Sequence, residues 1–398
     1  MNQTAQAGLG LALGTDFFSV REQFTSEQWS RFTAARKFVD SEVIPAAAGY
    51  WERAEIPWPL VRRLPELDVV GEEIEGYGCP GMSPLACGLV TMELHRGDGS
   101  LGVILGVHSG LAMRSIALCG SDEQKQRWLP GMARMDLLGA FALTEPDHGS
   151  DSVALETTAE PDGERWLLTG RKRWIGLGTV ADLVVVWARD TTTGQVGGFV
   201  VERGSPGYQA SVIEGKASLR SVWQADITLD KVAVPAANRL PGARSFKDAG
   251  RVLAATRSTC AWAALGHATA AYDTALRYAL SRRQFGKPLA SFQIVQQRLV
   301  TMLADLTAMQ LYCMQIGRLA EAGRLTATVA GLAKMHNTRK ARVIAADARD
   351  MLGGNGILLE NHAIRHMADL EAIHTFEGTE TMQSLIVGRD ITGISAFA

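Results

Sequence analysis

The chain has 398 residues, with 40 Lys and Arg against 42 Asp and Glu, and 46% of its residues are hydrophobic. Its length suggests two or three domains, and its composition excludes disorder as a global description. The near balance of charge argues against a general nucleic-acid binder, whose affinity rests on surplus cations meeting phosphates.

Residues 1–15 are rich in Gly, Ala and Leu and carry no Lys or Arg, which first appear at Arg21. They resemble neither a secretory nor a transit leader. No uninterrupted apolar run has the length of a membrane span, so no membrane insertion is expected; the best, 181–188, is broken by Asp182. The five cysteines (Cys79, Cys87, Cys119, Cys260, Cys313) are scattered without a C-x-x-C pair, which suggests reduced thiols in a cytoplasmic protein.

Residues 26–135 read as helical. Thr25 or Ser26 offers an N-cap, and Trp29, Phe32, Phe38 and Val39 recur near helical spacing until Pro45, which is expected to stop the run. Ser121 with Gln124 forms a second capping box, and Pro130 is expected to end that helix. Residues 143–235 read as β. The runs 181–186 and 197–202 flank a turn-rich stretch at 190–194 and suggest a hairpin, while 225–235 alternates Ile227, Leu229 and Val232 with polar neighbours. Beyond Arg244 the pattern is helical again, over 257–282, 291–322, 326–352 and 379–391. Helices, then strands, then helices exclude a doubly wound sheet.

Several motifs are weak alone. Gly353-Gly354-Asn355-Gly356 follows a helix rather than a strand, so it reads as a helix C-cap and not a dinucleotide turn. His362 and His366 have metal-ligand spacing but lack a third ligand nearby, and a structural role is expected.

Five segments in order carry more: Phe141-Ala-Leu-Thr-Glu-Pro-Asp-His-Gly-Ser-Asp151, Arg173-Trp174-Ile175, Arg282-Arg-Gln-Phe-Gly286 with Gln293, Met351-Leu-Gly-Gly-Asn-Gly356, and Phe376-Glu-Gly-Thr379. Together they resemble the acyl-CoA dehydrogenase family, most of all its glutaryl-CoA dehydrogenase branch. The resemblance spans residues 16–397. It implies a mainly α fold with a central β domain: a helical N-terminal domain (1–140), a β-barrel-like middle domain (141–243) and a C-terminal four-helix bundle (244–398). It also implies FAD, an acyl-CoA substrate, an electron-transferring flavoprotein as acceptor, and a homotetramer or dimer.

The resemblance assigns roles residue by residue. Glu377 matches the base that removes the α-proton of the thioester while the β-hydrogen leaves as hydride to the flavin; alone it would read as an acidic residue opening a helix. The Glu377 backbone N–H would polarise the thioester carbonyl, with Gly378 beside it. Phe141, Leu143, Thr144 and Gly149 would approach the flavin, and Ser150 its phosphate or the substrate's pantetheine arm. Trp174 and Ile175 would lie against the isoalloxazine; a core tryptophan is the plain reading of Trp174, and both roles can hold. Arg282, Gln284, Phe285 and Gln293 would reach a neighbouring subunit's flavin, with Gly353 and Gly354 permitting close approach and Thr379 and Thr381 covering the adenosine side. Arg257 would sit near the thioester, or else form a helix-surface ion pair.

The chain also departs from its nearest branch. Where that branch binds a distal carboxylate with glutamate, arginine and serine, this chain has His95, Gly102 and Gly106, among apolar Leu101, Val103, Ile104 and Leu105. Glutaryl recognition and decarboxylation are therefore not expected. Gly176 replaces a threonine whose hydroxyl approaches flavin N5, and Trp223 replaces a small residue. Alternatives of the same fold are a dehydrogenase of carrier-protein-bound acyl groups, an oxygen-reactive oxidase, and a flavin-binding subunit without catalysis.

Overall fold

The protein is described here by a computed structural model covering residues 16–397, so the Gly/Ala/Leu-rich segment 1–15 lies outside the described residues. Thr25 opens α1 (Ser26–Phe38) through a capping box in which its hydroxyl accepts from Gln28 N–H. Pro45 does not stop the run. A π-turn (Val39–Val43) carries the chain without a break into α2 (Ile44–Arg53), and its wider turn accommodates Pro45. After a short hairpin (Glu75–Gly76 with Cys79–Pro80) come α3 (Pro84–Gly97) and α4 (Gly99–Leu105). A second π-turn (Gly106–Met113) leads from α4 into α5 (Arg114–Cys119). The capping box at Ser121 starts α6 (Asp122–Ala133), which continues past Pro130 because the lost ladder bond falls near the helix end.

The middle of the chain forms strands β1 (Gly139–Ala142), β2 (Thr158–Asp162), β3 (Arg165–Gly176), β4 (Leu183–Asp190), β5 (Val196–Glu202), β6 (Tyr208–Val212) and β7 (Gln224–Pro235). They make one seven-stranded curled sheet in the order β1-β4-β2-β3-β7-β6, with β5 also on β4. β4 and β5 are the expected hairpin partners, paired antiparallel from Leu183↔Glu202 to Arg189↔Val196.

The C-terminal helices are α7 (Phe246–Ser281), α8 (Gln293–Glu321), α9 (Ala327–Met351), α10 (Ala363–Thr375) and α11 (Glu380–Thr392). α7 begins well before the predicted residue 257, because Ser245 and Asp248 form a capping box that the apolar pattern hides. One apolar core joins the N-terminal helices to the sheet, and a second joins α1 and α3 to the C-terminal helices.

Among the described residues, two helical stretches, Gly99–Cys119 and Gln293–Glu321, are long and apolar enough to cross a membrane, with mean hydropathies of 1.5 and 1.2. Neither is an unbroken apolar run: His108 and Arg114 interrupt the first, Arg298 and Asp305 the second. Their windows are 61% and 44% buried by the rest of the fold, as core helices are.

Candidate active site

The loop between α10 and α11 presents Glu377. It is a strained turn, with Glu377 at φ 57° and Gly378 at φ 82°, in the left-handed region where a non-glycine residue is uncommon. Buried donors hold it from beneath. The Lys334 ammonium, inside the core on α9, donates to the carbonyls of Phe376 and Gly378. The Gln383 side chain on α11 donates to the carbonyls of Glu377 and Gly378, each at 3.1 Å. A Cβ at position 378 would stand 2.6 Å from Gln383 Nε2, so the position requires glycine twice over. In a trans peptide the N–H points opposite to the preceding carbonyl. With the Phe376 carbonyl turned to Lys334, the Glu377 N–H points away from that buried side.

The Glu377 carboxylate accepts a 3.1 Å hydrogen bond from the Thr256 hydroxyl on α7. Burial pushes its pKa above the usual carboxylate range, while Lys334, the Thr256 hydrogen bond and Arg257 oppose the rise. Arg257 is half-buried, and its Nε is buried without a hydrogen-bond partner. An unpaired guanidinium nitrogen beside a carboxylate of raised basicity suits an incoming polar ligand.

The segment after β1 is anchored by a buried ion pair. Glu145 accepts from Lys172 Nζ at 2.8 Å and from the backbone N–H of Glu156 and Thr157 at 2.6 and 2.9 Å. Lys172 also donates to the Leu143 carbonyl at 2.9 Å. Burial lowers the Lys172 pKa to about 8. Burial would raise that of Glu145, but Lys172 and the N–H donors hold it below its ordinary value.

Two residues further along β3 the register with β7 shifts between Lys172 and Ile175. This bulge turns Trp174 outward at φ 64°, 53% exposed, beside the Arg173 guanidinium. Trp174 is thus not a core tryptophan. Ile175 points into the core, as does Phe141, which packs against Trp187 at 6.0 Å, so these two offer backbone rather than side chain. Leu143 is buried, Thr144 half-buried and adjacent to the bulge through its carbonyl, and Gly149 and Ser150 are exposed in the loop. At Gly176, an added Cβ would lie 2.9 Å from Val107, so a valine from the second π-turn occupies the space beside the missing threonine. Trp223 donates its Nε1–H to the Ala54 carbonyl at 2.8 Å, tying the sheet to the end of α2.

A second group lies at the far end of α7. Arg282 caps that helix, Gln284 and Phe285 occupy an exposed hairpin turn with Phe285 91% exposed, and Gln293 opens α8. The turn carrying Gly353 (φ 59°) and Gly354 joins this end through Asn355, which donates to the Tyr278 hydroxyl at 3.0 Å. No atom lies within 4 Å of where a Cβ would be at either glycine. Arg257 and Arg282 are separated by about 38 Å along α7 at 1.5 Å per residue. Thr379 spends its hydroxyl capping α11, accepting from Met382 N–H at 3.3 Å, and Thr381 is exposed.

The expected acyl-end residues are changed by their surroundings. The His95 ring fills the space at Gly102, where a Cβ would stand 2.4 Å from it, while nothing lies within 4 Å at Gly106. Burial lowers the His95 pKa to about 3, so the ring is neutral. Arg96, the nearest cation in sequence, is committed to Glu93 and Asp40 at 2.7 and 2.6 Å. His362 and His366 do not converge: His362 faces Arg365, and His366 pairs with His267 at 2.8 Å.

Comparisons with known proteins agree with this layout. The acyl-CoA dehydrogenase N-terminal, middle and C-terminal domain families match residues 25–136, 140–232 and 246–392. A short-chain specific acyl-CoA dehydrogenase of Bos taurus mitochondria is 34% identical, the match covering 88% of this chain and 87% of that protein. The chain belongs to the acyl-CoA dehydrogenase family. Among solved structures, a glutaryl-CoA dehydrogenase from Mycobacterium smegmatis superposes with a TM-score of 0.94 at 40% identity, covering 96% of this chain and 99% of that one. Another glutaryl-CoA dehydrogenase structure from that organism, in complex with FADH2, gives 0.94 at 36% identity with the same coverage.

Sequence reasoning missed Thr256, Lys334, Gln383, Glu145 and Lys172. Only Glu145 had a signal, lying inside a recognised segment.

Proposed function

We propose that the protein is an FAD-dependent dehydrogenase of acyl-CoA thioesters in which Glu377 removes the α-proton. The observation that carries this reading is the Glu377 carboxylate itself: desolvated, raised in basicity, and oriented by Thr256 on a loop clamped by Lys334 and Gln383. A base for a weakly acidic C–H must be both near and basic, and this arrangement supplies both. The Glu377 N–H, directed away from the clamp, polarises the thioester carbonyl, and Arg257 lies close enough to steady the thioester end.

FAD, when bound, supplies the hydride acceptor. The outward Trp174 indole, the bulged Thr144–Arg173 backbone and the open Gly353-Gly354 turn fit a large planar cofactor and its phosphates. Because Arg282 and Phe285 lie so far along α7 from Arg257, they serve a flavin in a second copy, which supports a dimer or tetramer with shared sites. An electron-transferring flavoprotein is the proposed acceptor. The five unpaired thiols suit a reducing compartment, the cytoplasm in our reading.

The acyl group is proposed to be uncharged. A distal carboxylate at Gly102 and Gly106 would meet a neutral imidazole, with Arg96 already committed to Glu93 and Asp40, forgoing charge-assisted hydrogen bonds of about 1.5–3 kcal/mol each. Anaerobic titration with butyryl-CoA and glutaryl-CoA, following the oxidised flavin band, tests both parts. Butyryl-CoA should bleach the flavin with the larger kcat/KM, and glutaryl-CoA should release no carbon dioxide. Glu377→Gln should slow bleaching by about 10²–10⁴-fold with flavin retained. A preference for glutaryl-CoA, or a Glu377→Gln variant with more than a tenth of the rate, would overturn the corresponding part.

A further inference from the structure

The Glu377 turn is also closed across its mouth. His374, in the last turn of α10, and Glu380, the first residue of α11, flank it, and their side chains meet: His374 Nε2 lies 3.3 Å from Glu380 Oε2. Each of the two is held again from α9. His374 Nδ1 lies 3.1 Å from the hydroxyl of buried Thr338, and the Arg339 guanidinium donates to Glu380 Oε1. Lys334, which donates to the turn's own carbonyls, stands one turn before Thr338 on α9. The stretch 334–339 of α9 thus holds the turn at its floor and at both rims. A carboxylate only accepts, so Nε2 of His374 carries the hydrogen toward Glu380, and the bare Nδ1 of the neutral ring accepts from the Thr338 hydroxyl. The ring is neutral near pH 7, because burial lowers its pKa; Arg342 and Lys334 of α9 act the same way, against Glu380 of α11 and Glu371 of α10. Glu380 is ionised, since the Arg339 hydrogen bond holds its pKa below the ordinary value. Glu377 and Gly378 both lie in the left-handed region, and such a turn keeps its shape only where its surroundings over-determine it. Separating the ends of α10 and α11 would let it relax, and the His374–Glu380 contact spans those two ends.

We propose that His374 is a positioning residue for the base: with Glu380 it staples the mouth of the Glu377 turn and so fixes where the Glu377 carboxylate points. The proposal rests on reading Glu377 as the base that removes the α-proton. It deepens that reading by adding a rim contact, made by two side chains outside the turn, to the floor that Lys334 and Gln383 supply.

Mass spectrometry of acetyl-CoA held with the FAD-loaded protein in D2O tests the staple apart from hydride transfer, because an acetyl group has α-hydrogens and no β-hydrogen. Glu377 takes an α-proton, exchanges it with solvent and returns a deuteron, so the acetyl group gains mass. An asparagine amide reaches only where Nδ1 stood, whereas a glutamine amide can stand where Nε2 stood. His374→Asn should therefore lose the Glu380 contact and slow deuteration roughly tenfold, as for a lost hydrogen bond to a charged group, at an unchanged half-saturating concentration of acetyl-CoA. His374→Gln should restore the rate. Backbone amide exchange across 375–380 should quicken in His374→Asn and return to the wild-type rate in His374→Gln. Glu380→Ala should act as His374→Asn does, and decides the matter if that variant does not fold. Deuteration at the wild-type rate in His374→Asn or Glu380→Ala, or a fall that His374→Gln does not restore, overturns the proposal. If Glu377→Gln deuterates acetyl-CoA as fast as wild type, or if no protein deuterates it, the reading of Glu377 as the base falls. The staple is then judged on amide exchange alone: it stands if the turn loosens in His374→Asn and tightens in His374→Gln, and falls otherwise.

Discussion

Lys172 and Lys334 are both buried in the core, and each fixes a segment that carries a candidate site residue, yet they spend their charge differently. Lys172 is matched by Glu145, whose remaining lone pairs are taken by two backbone N–H groups, so its charge is consumed where it lies. Lys334 bonds only neutral carbonyls, those of Phe376 and Gly378, and its field reaches Glu377, whose pKa it lowers. The first is a positioning device alone. The second positions a strained loop and also opposes the rise that burial gives the Glu377 pKa.

Removing each lysine should separate these roles, and the larger effect on stability belongs to Lys172. Lys172→Met leaves Glu145 buried and unmatched, which costs about 3–5 kcal/mol. Thermal melting should fall accordingly, and the Trp174 bulge should lose its anchor, releasing flavin. A variant as stable as wild type would mean that Glu145 is satisfied by the Glu156 and Thr157 amides alone. Lys334→Met should be milder in melting but should act on chemistry. Its loss removes two charge-assisted bonds to the loop and one cation beside the base, so Glu377 becomes harder to ionise. With Glu377 as the proposed base, the rate of flavin reduction should fall as pH drops and Glu377 takes up its proton. In Lys334→Met that acidic limb should therefore move to higher pH, whereas in any folded Lys172 variant it should stay in place. Stopped-flow reduction across pH reads the difference directly, and an unmoved limb in Lys334→Met would break the contrast.

Neither lysine was visible in the sequence, for a physical reason. Lys334 sits among Ala333 and Ala330 on a helix whose pattern reads as an ordinary apolar stripe, and its partners are main-chain oxygens that no side-chain motif records. The helix–strand–helix succession was legible because it follows from local pattern, whereas the five segments, and Glu377 within Phe376-Glu-Gly-Thr379, stood out only through the family resemblance. The Pro45 and Pro130 boundaries were misread because a π-turn and a late helix position accommodate proline.

The smallest expected effect sharpens the contrast at the base itself. Thr256 touches Glu377 through one neutral hydroxyl at 3.1 Å, and the same hydroxyl reaches the Leu253 carbonyl at 3.2 Å within its own helix. Thr256→Val keeps the shape that packs against Gly110 and removes only the donor. A hydrogen bond of this kind is worth about 0.5–1.5 kcal/mol, hence a loss of roughly threefold to tenfold in the ionised, oriented form of the base. Because the bond favours the charged carboxylate, its removal should also shift the acidic limb to higher pH, in the same direction as Lys334→Met but by less. Thr256→Ser should restore both rate and limb, since serine returns the hydroxyl. If Thr256→Val slowed reduction strongly with no shift of the limb, or if serine failed to rescue it, Thr256 would act through the packing of α7 against Gly110. The orientation of Glu377 would then rest on the contacts of its loop.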